Sequence, residues 1–297
     1  MDLLRSLGTT ARHFAAPLLI AALTGGAAFA QSPATDAKRI VSVGGTVTEV
    51  LYALGQDPRI AAVDTTSVFP AATANKPNVG YIRQLSAEGV LSQKPDLIIA
   101  EAGAGPADAL AILKASGVPF VTIPTPPQAE AVPDKIRAVG AAVGKAEEAE
   151  TLARAVDGEL AAVKARIAAL TVPKKRVLFA LSLANGRVMA AGADTSADAI
   201  IRLAGGVNAA ASVSGYKPLS DEAVIAAAPE VVLVMNGGAM HMTAEQAFAL
   251  PALQASPAGK AKAFIAMDGL YLLGLGPRTA RAALDLAAQL YPDAVKP

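Results

Sequence analysis

Apolar residues in this chain fall into short runs separated by turn residues. Residues 40–43, 60–63, 97–100 and 120–123 are four-residue runs rich in Val, Ile and Leu, as buried strands are. Between them, residues 47–54 carry helical spacing that stops at Gly55, and residues 107–115 form a second helical stretch. Ser86 is placed to cap a further short helix that carries Glu88 in its first turn and ends before Pro95. Strand and helix in alternation predict a parallel sheet with crossover helices.

From 133 to 170 the pattern changes to a long stretch rich in Ala, Glu, Lys and Arg, a composition that favours helix. Gly140 and Gly144 are the candidate points of division, and the apolar positions, mostly Ala, lack the Leu heptads of a coiled coil. After Pro173 the alternation resumes, with strands predicted at 177–181, 188–190, 231–234 and 264–267 and helices at 195–204 and 278–291. The predicted fold class is α/β. Two similar lobes, 31–140 and 173–297, are joined by a connecting helix at 141–172, and a ligand cleft lies between them.

A repeat supports the two-lobe reading. Leu85-Ser86-Ala87-Glu88-Gly89-Val90-Leu91 leads to Pro95-Asp96-Leu97-Ile98-Ile99, and 134 residues later Leu219-Ser220-Asp221-Glu222-Ala223-Val224-Ile225 leads to Pro229-Glu230-Val231-Val232-Leu233. Before each copy stands a tyrosine followed by a cation, Tyr81 with Arg83 and Tyr216 with Lys217.

The first 30 residues read as a secretory peptide. Arg5 and Arg12 precede an apolar stretch that ends in Ala28-Phe29-Ala30, a small-x-small cleavage sequence. Gly25-Gly26 interrupts this stretch, which is too short for a membrane span. Cleavage after Ala30 would leave a protein free in the periplasm. It would remove two cations and one anion, which takes the formal net charge from +1 to zero. A neutral chain argues against nucleic acid as partner. The chain has no cysteine, so disulfides, thiolate metal sites and a lipidated N-terminal cysteine are excluded.

Val79-Gly80-Tyr81-Ile82-Arg83-Gln84-Leu85-Ser86-Ala87-Glu88-Gly89-Val90-Leu91 resembles the haem-ligand segment of periplasmic haem-binding proteins that serve bacterial ABC importers. The resemblance continues through Gly215-Tyr216-Lys217-Pro218-Leu219-Ser220-Asp221-Glu222 to Met267-Asp268-Gly269-Leu270 and Gly274-Leu275-Gly276-Pro277-Arg278-Thr279. It implies a carrier with little hinge closure whose ligand is ferric haem b. It also implies that Tyr81 is the axial iron ligand and that Glu88 and Glu222 dock, one per lobe, onto arginines of a permease dimer that works with an ATPase.

The chemistry of the residues agrees with that implication. A phenolate is a hard oxygen donor suited to Fe(III), and Arg83 is a candidate to favour the ionised phenol by hydrogen bonding. Tyr216 and Lys217 are candidates to meet propionates, with Tyr216 also able to approach the porphyrin from the opposite side; packing and solvation are the alternative roles. His241, the histidine left after cleavage, lies between Met240 and Met242, and all three side chains can ligate haem iron. Arg278, Thr46, Thr48 and the glycine turns at Gly44-Gly45 and Gly192 complete the pocket candidates.

No nucleophile elbow, zinc-protease helix or P-loop is present, so the chain is expected not to be an enzyme. One mature histidine is too few for a usual zinc or manganese set. A carrier of ferric siderophore or corrinoid in the same clan is the competing reading. The free protein is expected to be a monomer.

Overall fold

The computed structural model describes residues 36–296 apart from 185 and 238–240, and the described residues form one compact unit. The predicted secretory peptide and Met240 lie outside the described residues. Among the described residues no helix is long and apolar enough to cross a membrane.

The first lobe is built on strands β1 (Ile40–Val43), β2 (Ile60–Val63), β3 (Leu97–Glu101) and β4 (Phe120–Ile123). They form a fully parallel sheet in the order β2-β1-β3-β4. Helices α1 (Gly45–Ala53), α2 (Ala87–Leu91) and α3 (Ala107–Ala115) make the crossovers. Every predicted strand of this lobe is present within a residue, because both sheet faces are covered and a strand buried twice must be apolar throughout.

Two helices follow, α4 (Val132–Ala142) and α5 (Ala146–Ala168). Of the two candidate glycines, Gly144 makes the break, taking a left-handed φ of 71° just beyond the end of α4. Gly140 stays inside α4 and is the point where the helices touch. A Cβ there would come within 2.1 Å of Ala149 Cβ, so only glycine permits this approach. Arg137 and Arg154 clamp Glu150 at 2.7 Å each, which fixes the same hairpin at its surface.

The second lobe contains β5 (Arg176–Ala184), β6 (Arg187–Ala191), α6 (Ser196–Leu203), β7 (Val207–Asn208), β8 (Tyr216–Leu219), α7 (Asp221–Ala227) and β9 (Val231–Asn236). Short helices α8 (Ala244–Phe248), α9 (Pro251–Ala255) and α10 (Pro257–Ala261) lead to β10 (Phe264–Asp268), α11 (Gly269–Leu273) and α12 (Thr279–Leu290). Its sheet runs β10-β9-β5-β6-β8 with β7 beside β5, and it is mixed where a parallel sheet was expected. β6 pairs antiparallel with both β5 and β8. The short connection at Gly186 has room only for a hairpin, since a parallel crossover needs a dozen or more residues.

The repeat is a structural one. Ser86 caps α2 by accepting from Gly89 N at 3.2 Å, and Ser220 caps α7 by accepting from Ala223 N at 3.2 Å. Each copy then turns through a left-handed residue just before its proline, Lys94 at φ 50° and Ala228 at φ 41°. Asp96 accepts from the Lys38 and Arg39 amides, and Glu230 accepts from the Arg176 amide, so each copy ties its second strand to the start of its first.

Three apolar layers fill the molecule. One covers the outer face of the first sheet under α2 and α3, and one covers the outer face of the second sheet under α7 to α10. The third is continuous between the lobes, from Val47, Val50 and Leu51 of α1 through Ile136 and Leu160 of the helical hairpin to Ile200 and Leu286. Lobes that share one core cannot separate without exposing it.

Candidate functional site

Tyr81 is carried by a loop that the backbone fixes on three sides. Thr65 N donates to Gly80 O at 2.9 Å, Gln84 N closes a turn onto Tyr81 O at 2.8 Å, and Leu85 N and Ile82 O bond Gly105 at 2.9 Å each. Ile82 and Leu85 are buried anchors, and this alternation turns Tyr81 and Arg83 outward. Gly80, immediately before the tyrosine, has φ 94°.

Tyr216 is placed in a matching way. It follows Gly215, at φ 71°, and opens β8, with Gly192 N donating to Gly215 O at 2.8 Å. Tyr81 is 41% exposed and Tyr216 is 40% exposed, although tyrosines bury most of their ring in cores. Partial burial pushes the Tyr216 hydroxyl pKa up, and the Arg83 guanidinium opposes that rise. Among the described residues no hydrogen bond joins Arg83 to Tyr81. Lys217 is exposed beside Tyr216.

His241 is exposed, and Met242 is half-buried against the outer apolar layer of the second lobe. Glu88 and Glu222 are both exposed in the first turns of α2 and α7.

Two further pocket candidates, Arg278 and Thr46, bond from one lobe to the other. Arg278, at the start of α12, donates from Nε and Nη2 to the two carboxylate oxygens of Glu49 on α1, at 2.9 Å each. The Glu49 side chain is only 6% exposed, and the guanidinium also lies 3.5 Å from the centre of the Phe69 ring. Thr46 Oγ1 donates to Gly274 O at 2.9 Å, and buried Lys135 donates to Gly274 O at 3.2 Å and to Leu275 O at 2.9 Å. Leu275 is held at φ 49°, a costly conformation for a leucine, by the turn these bonds fix. The motif Gly274-Leu275-Gly276-Pro277-Arg278 is therefore a plug on the first lobe.

The N-terminus of α1 is occupied from within. Gly44 N donates to Asp64 at 2.9 Å, Gly45 N to Thr66 at 3.0 Å, and Thr46 N and Val47 N to Glu101 Oε1 at 2.9 and 3.2 Å. Burial pushes the Glu101 carboxyl up and the Lys135 ammonium down, and each charge opposes the shift of the other. Thr48 is fully buried between Ser42 and Ser67. The expectation that this turn offers free amides to a propionate fails, because Asp64, Thr66 and Glu101 already take all four. Glu49, Glu101 and Lys135 are not among the residues expected from the sequence, where their one signal is an ionisable residue inside an apolar helical or strand pattern.

A model of the periplasmic binding protein family matches residues 40–270. The chain belongs to that family. Its members are carriers and not enzymes, and the family works in the periplasm or tethered outside the inner membrane. Among solved structures, the chain is 40% identical to the periplasmic heme-binding protein RhuT from Roseiflexus sp. RS-1, covering 86% of this chain and 99% of that one with a TM-score of 0.81. It is 33% identical to a periplasmic heme-binding protein from Pseudomonas aeruginosa, covering 87% and 94% with a TM-score of 0.80. For HutB of Vibrio cholerae the identity is 36%, the coverage 86% and 99%, and the TM-score 0.76. A Bacillus subtilis ABC transporter substrate-binding lipoprotein, YvrC, is 25% identical over 88% of this chain and 82% of its own length. A vitamin B12-binding protein of Yersinia pestis is 36% identical, over only 37% of this chain and 38% of its own length.

Proposed function

We propose that this protein captures ferric haem between its lobes and hands it to an inner-membrane ABC importer without chemical turnover. The observation that carries the reading is the pair of part-exposed tyrosines, Tyr81 and Tyr216, one on each lobe, on a chain similar over 86% of its length to a haem carrier. Tyr81 supplies the iron ligand. Arg83 favours the ionised phenol, and Tyr216 with Lys217 serves the propionates or the opposite porphyrin face. His241 and Met242 are left as iron ligands of second rank, since one is exposed and the other packs inward.

The leader is removed after Ala30. Residues 31–140 and 173–297 are the two lobes, and 141–172 is the connecting backbone. Glu88 and Glu222 meet basic side chains of the two permease subunits, and the carrier is a monomer before docking. Because the lobes share a core and the Arg278 plug, release is driven by the permease spreading the rim and not by a free hinge.

Hemin titrated into the purified mature protein is expected to give a saturable change in the haem absorption bands, while cobalamin and ferric siderophores give no binding by equilibrium dialysis. Retention of cobalamin or a ferric chelate with no specific haem spectrum would overturn the reading. The partial likeness to a vitamin B12-binding protein makes cobalamin the competitor to include.

A further inference from the structure

Val68 and Phe69 are adjacent large apolar residues that the fold leaves 52% and 38% exposed. Scattered exposed apolar side chains are ordinary. What sets these two apart is where the backbone brings them. Segment 77–80 runs parallel to the end of β2: Val79 N donates to Val63 O and Thr65 N to Gly80 O, both at 2.9 Å. The two tracks leave the sheet at the same end, one leading to Val68 and Phe69 and the other to Tyr81. That is the carboxyl end of the strands, where open α/β sheets bind their ligands. From the second lobe, β10 leads at its own carboxyl end through Asp268 into α11. Val68 and Phe69 with Asp268, Tyr271, Arg278 and Asp285 line a hollow of about 270 Å³ between the lobes. The Arg278 guanidinium lies 3.5 Å from the centre of the Phe69 ring and 5.0 Å from that of Tyr271, and Glu49 already pairs with it. Asp268 accepts from the Tyr271 amide at 2.8 Å, and Asp285 from the Tyr271 hydroxyl at 2.7 Å.

We propose that this hollow takes the propionate-free edge of the porphyrin, so that Val68, Phe69 and Tyr271 set which tetrapyrroles the cleft accepts and which way round they sit. This rests on the haem reading given above and deepens it. Pockets that enclose a whole small molecule have about 300–1,000 Å³, so a hollow of this size holds one edge and not the macrocycle. The edge that enters is apolar. A propionate there would meet the carboxylates of Asp268 and Asp285 and find the Arg278 charge already taken by Glu49. The methyl and vinyl groups of haem b instead meet the apolar surface of Val68 and the rings of Phe69 and Tyr271, and the propionates point out of the hollow.

The test titrates hemin and iron(III) coproporphyrin, which carries a propionate on every pyrrole, into the purified mature protein. Dissociation constants are measured for wild type, Val68→Ser, Phe69→Ala, the double variant and Tyr81→Phe. The hollow predicts that wild type holds hemin about tenfold more tightly than the coproporphyrin, and that the double variant loses about tenfold for hemin, as expected for lost apolar burial. That loss should erase the preference for hemin while the iron-ligation bands keep their positions. Val68→Ser leaves the Arg278 stack whole and should weaken hemin in the same direction with the melting temperature unchanged. Equal affinity of wild type for the two porphyrins, or unchanged hemin affinity in Val68→Ser and the double variant, overturns the hollow. Bands lost only in Tyr81→Phe would then leave the haem reading standing. No saturable hemin binding by wild type overturns both.

Discussion

Replacing Arg278 with alanine would leave the Glu49 carboxylate buried with its guanidinium partner gone. Glu49 is 6% exposed and Arg278 is 28% exposed, and two parallel bonds of 2.9 Å join them. Breaking a buried pair from one side costs about 3–5 kcal/mol. The partial exposure of Arg278 draws the pair toward the lower end of that range, and loss of the cation–π contact with Phe69 adds about 0.5–1 kcal/mol. A destabilisation of about 3–4 kcal/mol is therefore expected. With a urea slope of about 3 kcal/mol/M for a large single unit, the unfolding midpoint should fall by about 1 M. Glu49→Gln should cost less, since the amide keeps an acceptor. In a double-mutant cycle the Arg278→Ala and Glu49→Ala losses should be strongly non-additive, by about 2 kcal/mol or more. A drop below about 0.5 kcal/mol for Arg278→Ala, or simple additivity, would refute the idea that this pair joins the lobes.

Two glycines in the helical hairpin make a matched pair. Gly140→Ala places a Cβ 2.1 Å from Ala149 and should destabilise by about 1–3 kcal/mol, whereas Gly158→Ala in α5 meets nothing within 4 Å and should stabilise by about 0.5–1 kcal/mol. Urea midpoints of the two variants should move in opposite directions; a shared direction would contradict the packing described. The Arg137 and Arg154 clamp lowers the Glu150 pKa to about 2. A carboxyl depressed in the folded state stabilises above its unfolded pKa and stops doing so as pH falls through the folded one. The midpoint difference between wild type and Glu150→Gln should thus be full above about pH 4.3 and close as pH falls to about 2; a pH-independent difference would remove the clamp.

Much of this architecture was legible along the chain because it is written in contiguous residues. The strands at 40–43, 60–63 and 120–123 coincide with β1, β2 and β4, since each lies in a sheet covered on both faces. The repeat was visible because Ser, the acidic first turn and Pro do the same local work in both copies. β8 was missed, for Tyr216-Lys217-Pro218-Leu219 alternates weakly and its proline suits only an edge strand. The plug was missed for a different reason. Glu49 and Arg278 are 229 residues apart, and only the folded chain shows that they meet.

Haem ligation by Tyr81 is tested most directly by the absorption spectrum of the hemin complex of wild type beside Tyr81→Phe, which removes the phenol oxygen and keeps the ring. The wild-type complex should show a phenolate-to-iron charge-transfer band that is lost in the variant, together with much weaker haem retention in the variant. An unchanged spectrum with full retention in Tyr81→Phe would contradict it.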